Sequence, residues 1–272
     1  MASLPVPCRQ ESHTGDRVMI TLPADSRTLY LELLKRCLLG MIYEDPPAMA
    51  PPIGGFKTDL YVAKFRETGR DVPSQAHSMI GLRRMNNLHA CIEQVLADNV
   101  PGDLIETGVW RGGATIFMRG VLKAYGVTDR TVWVADSFEG LPAPDIKAYP
   151  LDQRWVSSAG MIAVDIDTVR RNFDRYGLLD EQVQFLKGWF RDTLPTMPVK
   201  ELAVLRLDGD LYESTWDALT HLYPKVSPGG FVLVDDYNHE SCRQAIHDYR
   251  ALHEIGAPLL DIDRIGVYWR KS

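Results

Sequence analysis

The stretch LAVLRLDGDLYESTW, residues 202–216, decides how this chain reads, because a short apolar run stops on two aspartates, Asp208 and Asp210, separated by Gly209. A run rich in Leu and Val predicts a buried strand, and the segment that follows it predicts a helix. The pattern returns in GGFVLVDDYNHE, residues 229–240, where Asp235 and Asp236 close another apolar run. Four carboxylates at the ends of two buried strands call for an explanation.

Working outward, strand and helix patterns alternate. Strands are predicted at 102–108, 131–137, 183–188, 202–208 and 229–236, with two short ones at 259–263 and 266–270. Helices are predicted at 113–126, 167–177, 213–224 and 241–253. Val/Ile/Leu-rich strands separated by helices predict an α/β fold: a mainly parallel seven-stranded sheet with helices on both faces. Upstream, Leu29, Leu33, Leu34, Cys37, Leu38 and Met41 recur at helical spacing, and residues 80–97 read as a second amphipathic helix. Between them DPPAMAPPIGG, residues 45–55, is too rich in proline and glycine for regular structure, and reads as a lid or a plain connector. The organisation expected is an N-terminal tail, helices and lid over 1–98 and a core over 99–272. Residues 1–20 show no clear period.

The bulk numbers set limits. A chain of 272 residues can bury a full core, and 45% apolar with 24% charged residues is ordinary globular composition. A net charge of −6 without a basic run argues against a nucleic-acid partner. The four cysteines are scattered, without a CxxC pair, and read as reduced thiols rather than disulfides or a zinc site. No apolar run reaches the roughly 18 residues of a membrane helix, and the charged N-terminus is not a secretory signal. A cytoplasmic location is expected.

In parallel sheets ligands gather beyond the carboxyl ends of the strands. Asp136, Asp208, Asp235 and Asp236 all fall there. The first core strand runs into IETGVWRGGATIF, residues 105–117, where Gly108, Gly112 and Gly113 allow a tight loop. Dinucleotide enzymes use such loops too, but the spacing here is E-x-G-x-x-x-G, and Glu106 would repel a pyrophosphate. An acid there suits a ligand carrying an amino group, such as S-adenosylmethionine. Glu106, Thr107, Gly108 and Gly112 are the candidate cofactor residues of this loop, with Asp136 and Ser137 placed for ribose hydroxyls. In KGWFRDTLP, residues 187–195, Gly188 frees the backbone, while Trp189 or Phe190 either covers an adenine or packs in the core.

Converging carboxylates repel unless a cation offsets them, and a hard divalent ion does so directly. Asp208 and Asp210, two apart, would project to one side of an extended chain. The candidate ligands are Asp208, Asp235 and Asp236; magnesium fits better than calcium, and nothing points to zinc. Asp208 also borders the cofactor side. Such an ion would bind an acceptor hydroxyl and lower its pKa, leaving Asp210, with His239 as rival, to take the proton.

The segments LYLELLKRCLLG, LIETGVWRGGATIFMRGVLKAYG, VWVADSFEGLPAPD, NFDRYGLLDEQVQFLKGWFRDTLP, LAVLRLDGDLYESTWDALTHLYPKVSPGG, VDDYN and VYWR resemble the macrocin O-methyltransferase family over nearly the whole chain. The resemblance implies a class I, Rossmann-like, S-adenosylmethionine- and Mg²⁺-dependent methylation of a sugar hydroxyl on a glycosylated natural product. It implies metal ligation at Asp208, Asp235 and Asp236, Asp210 as base, an N-terminal lid, and a homo-oligomer, a dimer, rather than a monomer. SQAHSMIGLRRMNNL, residues 74–88, matches as well and places Met79 and Ile80 at the methionine end of the cofactor. Acceptor contacts are expected from 45–55, 137–160 and the region after Asp236. A catechol or phenol acceptor, a nicotinamide-dependent dehydrogenase and a non-catalytic nucleoside binder are the alternatives.

Overall fold

The computed structural model describes residues 24–51 and 59–272, so the expectations for residues 1–20, for Cys8 and for the end of the 45–55 loop lie outside the described residues. The chain runs α1 (Ala24–Leu38), β1 (Pro47–Met49), α2 (Ala63–Thr68), β2 (Val72–Pro73), α3 (Gly81–Ala97), β3 (Asp103–Thr107), α4 (Gly113–Ala124) and β4 (Val132–Asp136). It continues with α5 (Ile166–Arg175), β5 (Val183–Lys187), α6 (Phe190–Thr193), β6 (Leu202–Leu207), α7 (Tyr212–Leu222), β7 (Val226–Val234), α8 (Glu240–Leu252), β8 (Leu260–Asp261) and β9 (Val267–Arg270).

Seven strands form the main sheet in the order β5-β4-β3-β6-β7-β9-β8. All neighbours are parallel except β9, which runs antiparallel to both β7 and β8. This is the mainly parallel seven-stranded α/β sheet that the apolar strand pattern predicted, and its order is the one the resemblance implied. Alternate side chains of the central strands feed two cores. Leu104 and Val204 face α1, α3, α4 and α5, whereas Ile105 and Leu205 face α7 and α8. The chain reverses direction across the sheet at β3, between β4 and β6, and that switch point is where a crevice opens at the carboxyl edge.

Backbone bonds continue the ladders one residue past the strands. Gly108 N–H reaches Ala135 O, Asp208 N–H reaches Thr107 O, and Asp235 N–H reaches Leu207 O, each at 2.9 Å. The strand tips are thereby fixed side by side before any side chain acts.

The N-terminal part departs from the pattern in two ways. In α1 the buried stripe is Leu31, Leu34 and Leu38, while Leu29 (72% exposed) and Leu33 (51%) face outward. The helix packs on α4 where Gly120 leaves room: a Cβ there would meet Leu34 Cδ2 at 2.4 Å. The start of the proline-rich loop is not irregular either. Pro47–Met49 pairs antiparallel with Val72–Pro73 through a register shift, a short edge ribbon in which prolines are tolerated. A buried arginine ties this region down: Arg66, 0% exposed, pairs with Asp71 (2.9 Å) and donates to the carbonyl of Asp45 (2.8 Å). Among the described residues Cys37, Cys91 and Cys242 are free, and no helix is long and apolar enough to cross a membrane.

Candidate active site

An arginine in the middle of an apolar strand organises the carboxyl edge. Arg206 of β6, 2% exposed, sends Nη1 to Glu106 Oε1 and to Asp208 Oδ2 (2.6 Å), and Nη2 to Asp235 Oδ1. The second oxygen of Asp235 is held by Arg84 of α3, whose Nε also reaches Asp263 at 3.1 Å. Two guanidinium groups therefore stand among six carboxylates: Glu106, Asp208, Asp210, Asp235, Asp236 and Asp263. The imbalance shows in their acidities. Burial, and then the charge of Asp235, pushes the Asp208 carboxyl up. Burial, then Asp210 and Asp235, does the same to Asp236. Burial raises Glu106 to about 8, and its Oε2 is buried without a hydrogen-bond partner on the wall of the crevice.

Asp210 is not in extended chain. Its φ is +59°, so the convergence with Asp208 comes from a left-handed turn and not from the pleat of a strand. Its N–H donates to Asp236 Oδ2 (3.1 Å), and its Oδ1 lies 3.7 Å from His239 Nε2. Burial, with Asp208 and Asp235 nearby, pushes its carboxyl up to about 7. Burial and Arg154 push His239 down, so it is neutral near pH 7. Carboxylate oxygens of Asp208, Asp235 and Asp236 lie within 4.8 Å of one another, and so do ligand atoms of Asp210, Asp236 and His239. The first set is all hard oxygen, which suits a magnesium-like ion. Its charge would also balance the carboxylates that the two arginines leave over, although Asp235 would share its oxygens with both guanidiniums.

A cleft opens beside this cluster, and it gathers most of the residues expected to hold a cofactor. Met79, Ile80, Glu106, Gly108, Asp136, Ser137, Gly188, Trp189, Phe190, Asp208 and Asp210 all line it. Thr107 and Gly112 do not. Thr107 is buried with its hydroxyl on Arg206 O, and a Cβ at Gly112 would meet Val169 at 2.8 Å on the helix side. Asp235 and Asp236 sit behind the wall. The Asp136 carboxylate also braces the glycine loop, accepting the N–H of Val109 and of Phe138 at 2.7 Å each. Gly108 has φ +88°, and a Cβ there would fall 1.8 Å from the backbone oxygen of Asp208. Only glycine lets the β3 and β6 tips come this close. Trp189 and Phe190 are half-buried on the cleft wall, and Phe190 also packs against the core on the α7 and α8 side.

Residues 27–271 match the family described as Macrocin-O-methyltransferase (TylF). The chain belongs to the macrocin O-methyltransferase family. A mycinamicin III 3''-O-methyltransferase of Micromonospora griseorubida is 53% identical over 255 residues, 92% of this chain and 99% of that protein. An 8-demethyl-8-(2,3-dimethoxy-alpha-L-rhamnosyl)-tetracenomycin-C 4'-O-methyltransferase of Streptomyces olivaceus is 55% identical over 250 residues, 91% of this chain and 94% of that protein. The solved structure of the O-methyltransferase NovP superposes with a TM-score of 0.85 at 53% identity, covering 90% of this chain and 99% of that one. This macrocin-family chain is thus an S-adenosylmethionine-dependent O-methyltransferase, and the nicotinamide and non-catalytic alternatives fall. The unpartnered Glu106 oxygen on the cleft wall fits the amino group of that cofactor.

Several residues of the site were not read from the sequence. Arg206 had a signal, since a charge inside a fully buried strand needs partners. Arg84, on a helix with abundant arginine, had none. His77, on the cleft wall with Nδ1 2.8 Å from the Tyr176 hydroxyl, is held down to about 4 by burial.

Proposed function

We propose that this chain methylates a sugar hydroxyl of a glycosylated natural product, with Asp210 as the base. The observation that carries the reading is Asp210 itself. It is a cleft-wall carboxylate raised to about 7, beside Asp208 and in the same cleft as Glu106 and Asp136. A base poised near neutrality is half ionised there and accepts a proton more readily than an ordinary carboxylate. The acceptor follows from the relatives: both names place the methylated oxygen on a primed position, and one names a rhamnosyl group.

Asp136 and Ser137 would take ribose hydroxyls, Trp189 or Phe190 the adenine face, and Glu106, Met79 and Ile80 the methionine end. Asp208, Asp235 and Asp236 would hold a divalent ion, which when bound supplies a Lewis acid that lowers the pKa of the acceptor hydroxyl. Asp210 removes the hydroxyl proton as the oxygen attacks the methyl carbon. S-adenosylmethionine, when bound, would supply the methyl group, the electron pair of its carbon–sulfur bond remaining on sulfur in the S-adenosylhomocysteine released. Proximity and alignment of oxygen and methyl supply much of the rate.

The test is methyl transfer followed by mass spectrometry across a panel of glycosides and their aglycones, with EDTA and with Mg²⁺ restored. Turnover of glycosides only, lost on chelation and regained with Mg²⁺, is expected. Turnover unaffected by chelation would remove the ion from the reading, and methylation of aglycones or simple catechols would replace the sugar acceptor with a phenol.

A further inference from the structure

The connection between β4 and α5 folds back over the carboxylates. Within it a 3-10 helix, Pro150–Ser158, reaches the starts of α7 and α8. Asp152, 0% exposed, accepts the N–H groups of Tyr212 (2.7 Å) and Glu213 (3.1 Å). These are the first residues of α7, whose own N-cap position, Leu211, has no side-chain acceptor. Three residues further on, the Trp155 indole N–H donates to the Ser241 hydroxyl (3.1 Å), and that hydroxyl donates to the carbonyl oxygen of Asp210 (3.1 Å). Ser241 is 0% exposed, and the Trp155 ring meets the His239 ring edge-on at 5.1 Å.

Both backbone groups of Asp210 are therefore tied: N–H to Asp236, carbonyl to Ser241. The helix that begins two residues later is pinned by Asp152. Such anchoring has a purpose. A non-glycine residue at φ +59° is disfavoured and persists only where its surroundings over-determine it. If the peptide relaxed, the carboxylate would swing off the cleft wall.

We propose that Trp155 and Ser241 are positioning residues for Asp210, a two-bond relay that holds its backbone in the left-handed turn and so aims its carboxylate at the acceptor. Neither side chain lines the cleft; Ser241 bonds Asp210 directly, and Trp155 reaches it through Ser241 while also packing on His239. The inference rests on the reading of Asp210 as the base.

The experiment compares Trp155→Phe, Ser241→Ala, Ser241→Thr, the Trp155→Phe/Ser241→Ala double variant and Asp210→Asn. Kinetics use the glycoside of highest turnover in the panel above. Calorimetry uses S-adenosylhomocysteine as probe, and a crystal structure of Trp155→Phe gives φ of Asp210. Trp155→Phe keeps an aromatic six-membered ring and removes the indole donor together with the five-membered ring that carries it. It and Ser241→Ala should each lower kcat roughly tenfold, equivalent to about 1.4 kcal/mol. KM for S-adenosylmethionine and affinity for S-adenosylhomocysteine should stay within about twofold. Ser241→Thr, which keeps the hydroxyl, should retain most of kcat, and the double variant should lose little beyond either single one, because both break one chain. The crystal structure should show Asp210 out of the left-handed region. Asp210 unmoved, losses that multiply, or a parallel fall in probe affinity would each overturn the proposal. If Asp210→Asn keeps its rate, the base assignment itself fails and the relay goes with it; if Asp210→Asn is dead and Trp155→Phe is normal, only the relay fails.

Discussion

Replacing Arg206 by methionine removes one cation from a site where three carboxylates share it. The side chain is 3% exposed and contacts Glu106, Asp208 (2.6 Å) and Asp235. Glu106, raised to about 8, is mostly protonated at neutral pH, and Asp235 keeps Arg84. The unbalanced charge is therefore left chiefly on Asp208. Deleting one partner of a buried ion pair costs about 3–5 kcal/mol. For a chain of this size that lowers the melting temperature by roughly 5–9 °C. Arg206→Lys keeps a charge but not the fork that spans three acids, and should fall between wild type and Arg206→Met. Urea denaturation followed by circular dichroism, with calorimetric Tm, reads both variants. A stability of Arg206→Met within about 1 kcal/mol of wild type would mean that the guanidinium is not the counter-ion of this edge, and the account of the cluster would be wrong.

Four further outcomes are expected. Because the folded chain holds the Glu106 proton up to about 8 while the unfolded chain releases it near 4.5, this residue should make stability fall as pH rises across that window. Glu106→Gln should flatten that slope in pH-dependent denaturation while weakening S-adenosylhomocysteine binding. Arg66→Met strands Asp71, itself buried, and should cost about 3–5 kcal/mol, with early proteolytic cleavage between α1 and α3 as the readout. Gly108→Ala forces a Cβ to 1.8 Å from the Asp208 oxygen and should destabilise by about 4 kcal/mol or more, or abolish soluble expression. His239→Gln should lower kcat by less than about tenfold, against roughly 10²–10⁴ for Asp210→Asn; equal losses would make His239 the base instead.

Much of this was legible because the signals are local. Val/Leu runs such as 202–207 and 229–234 mark buried strands whatever lies beside them, and a glycine after β3 with acids at the strand tips marks the ligand edge. What could not be read depends on which distant segments meet. Asp152 caps a helix 60 residues away, and the Trp155–Ser241 bond spans 86 residues, so no spacing announces either. In α1 two apolar stripes compete at helical period, and only packing on Gly120 decides that Leu31, Leu34 and Leu38 go inside. Asp210 was expected to share a face with Asp208 by strand alternation. It reaches the cleft instead through a left-handed turn, which aspartate adopts more readily than most residues but which no spacing in the apolar run announces.

The division of labour among the acids follows from where the arginines fall. Asp235 has a guanidinium on each oxygen, which holds it in place. Asp208 shares Arg206 and sits where a cation would be held. Asp236 is spent on the Asp210 N–H and lies behind the cleft wall. Asp210 combines a place on that wall with a carboxyl raised to about 7 by burial and its acidic neighbours, the charge of Arg154 offsetting only part of that rise. A base has to be free to change its charge, whereas a ligand or a counter-ion has to keep it. The two buried arginines are taken up by Glu106, Asp208, Asp235 and Asp263, which leaves Asp210, on its left-handed turn, as the cleft-wall acid that the proposed base role requires.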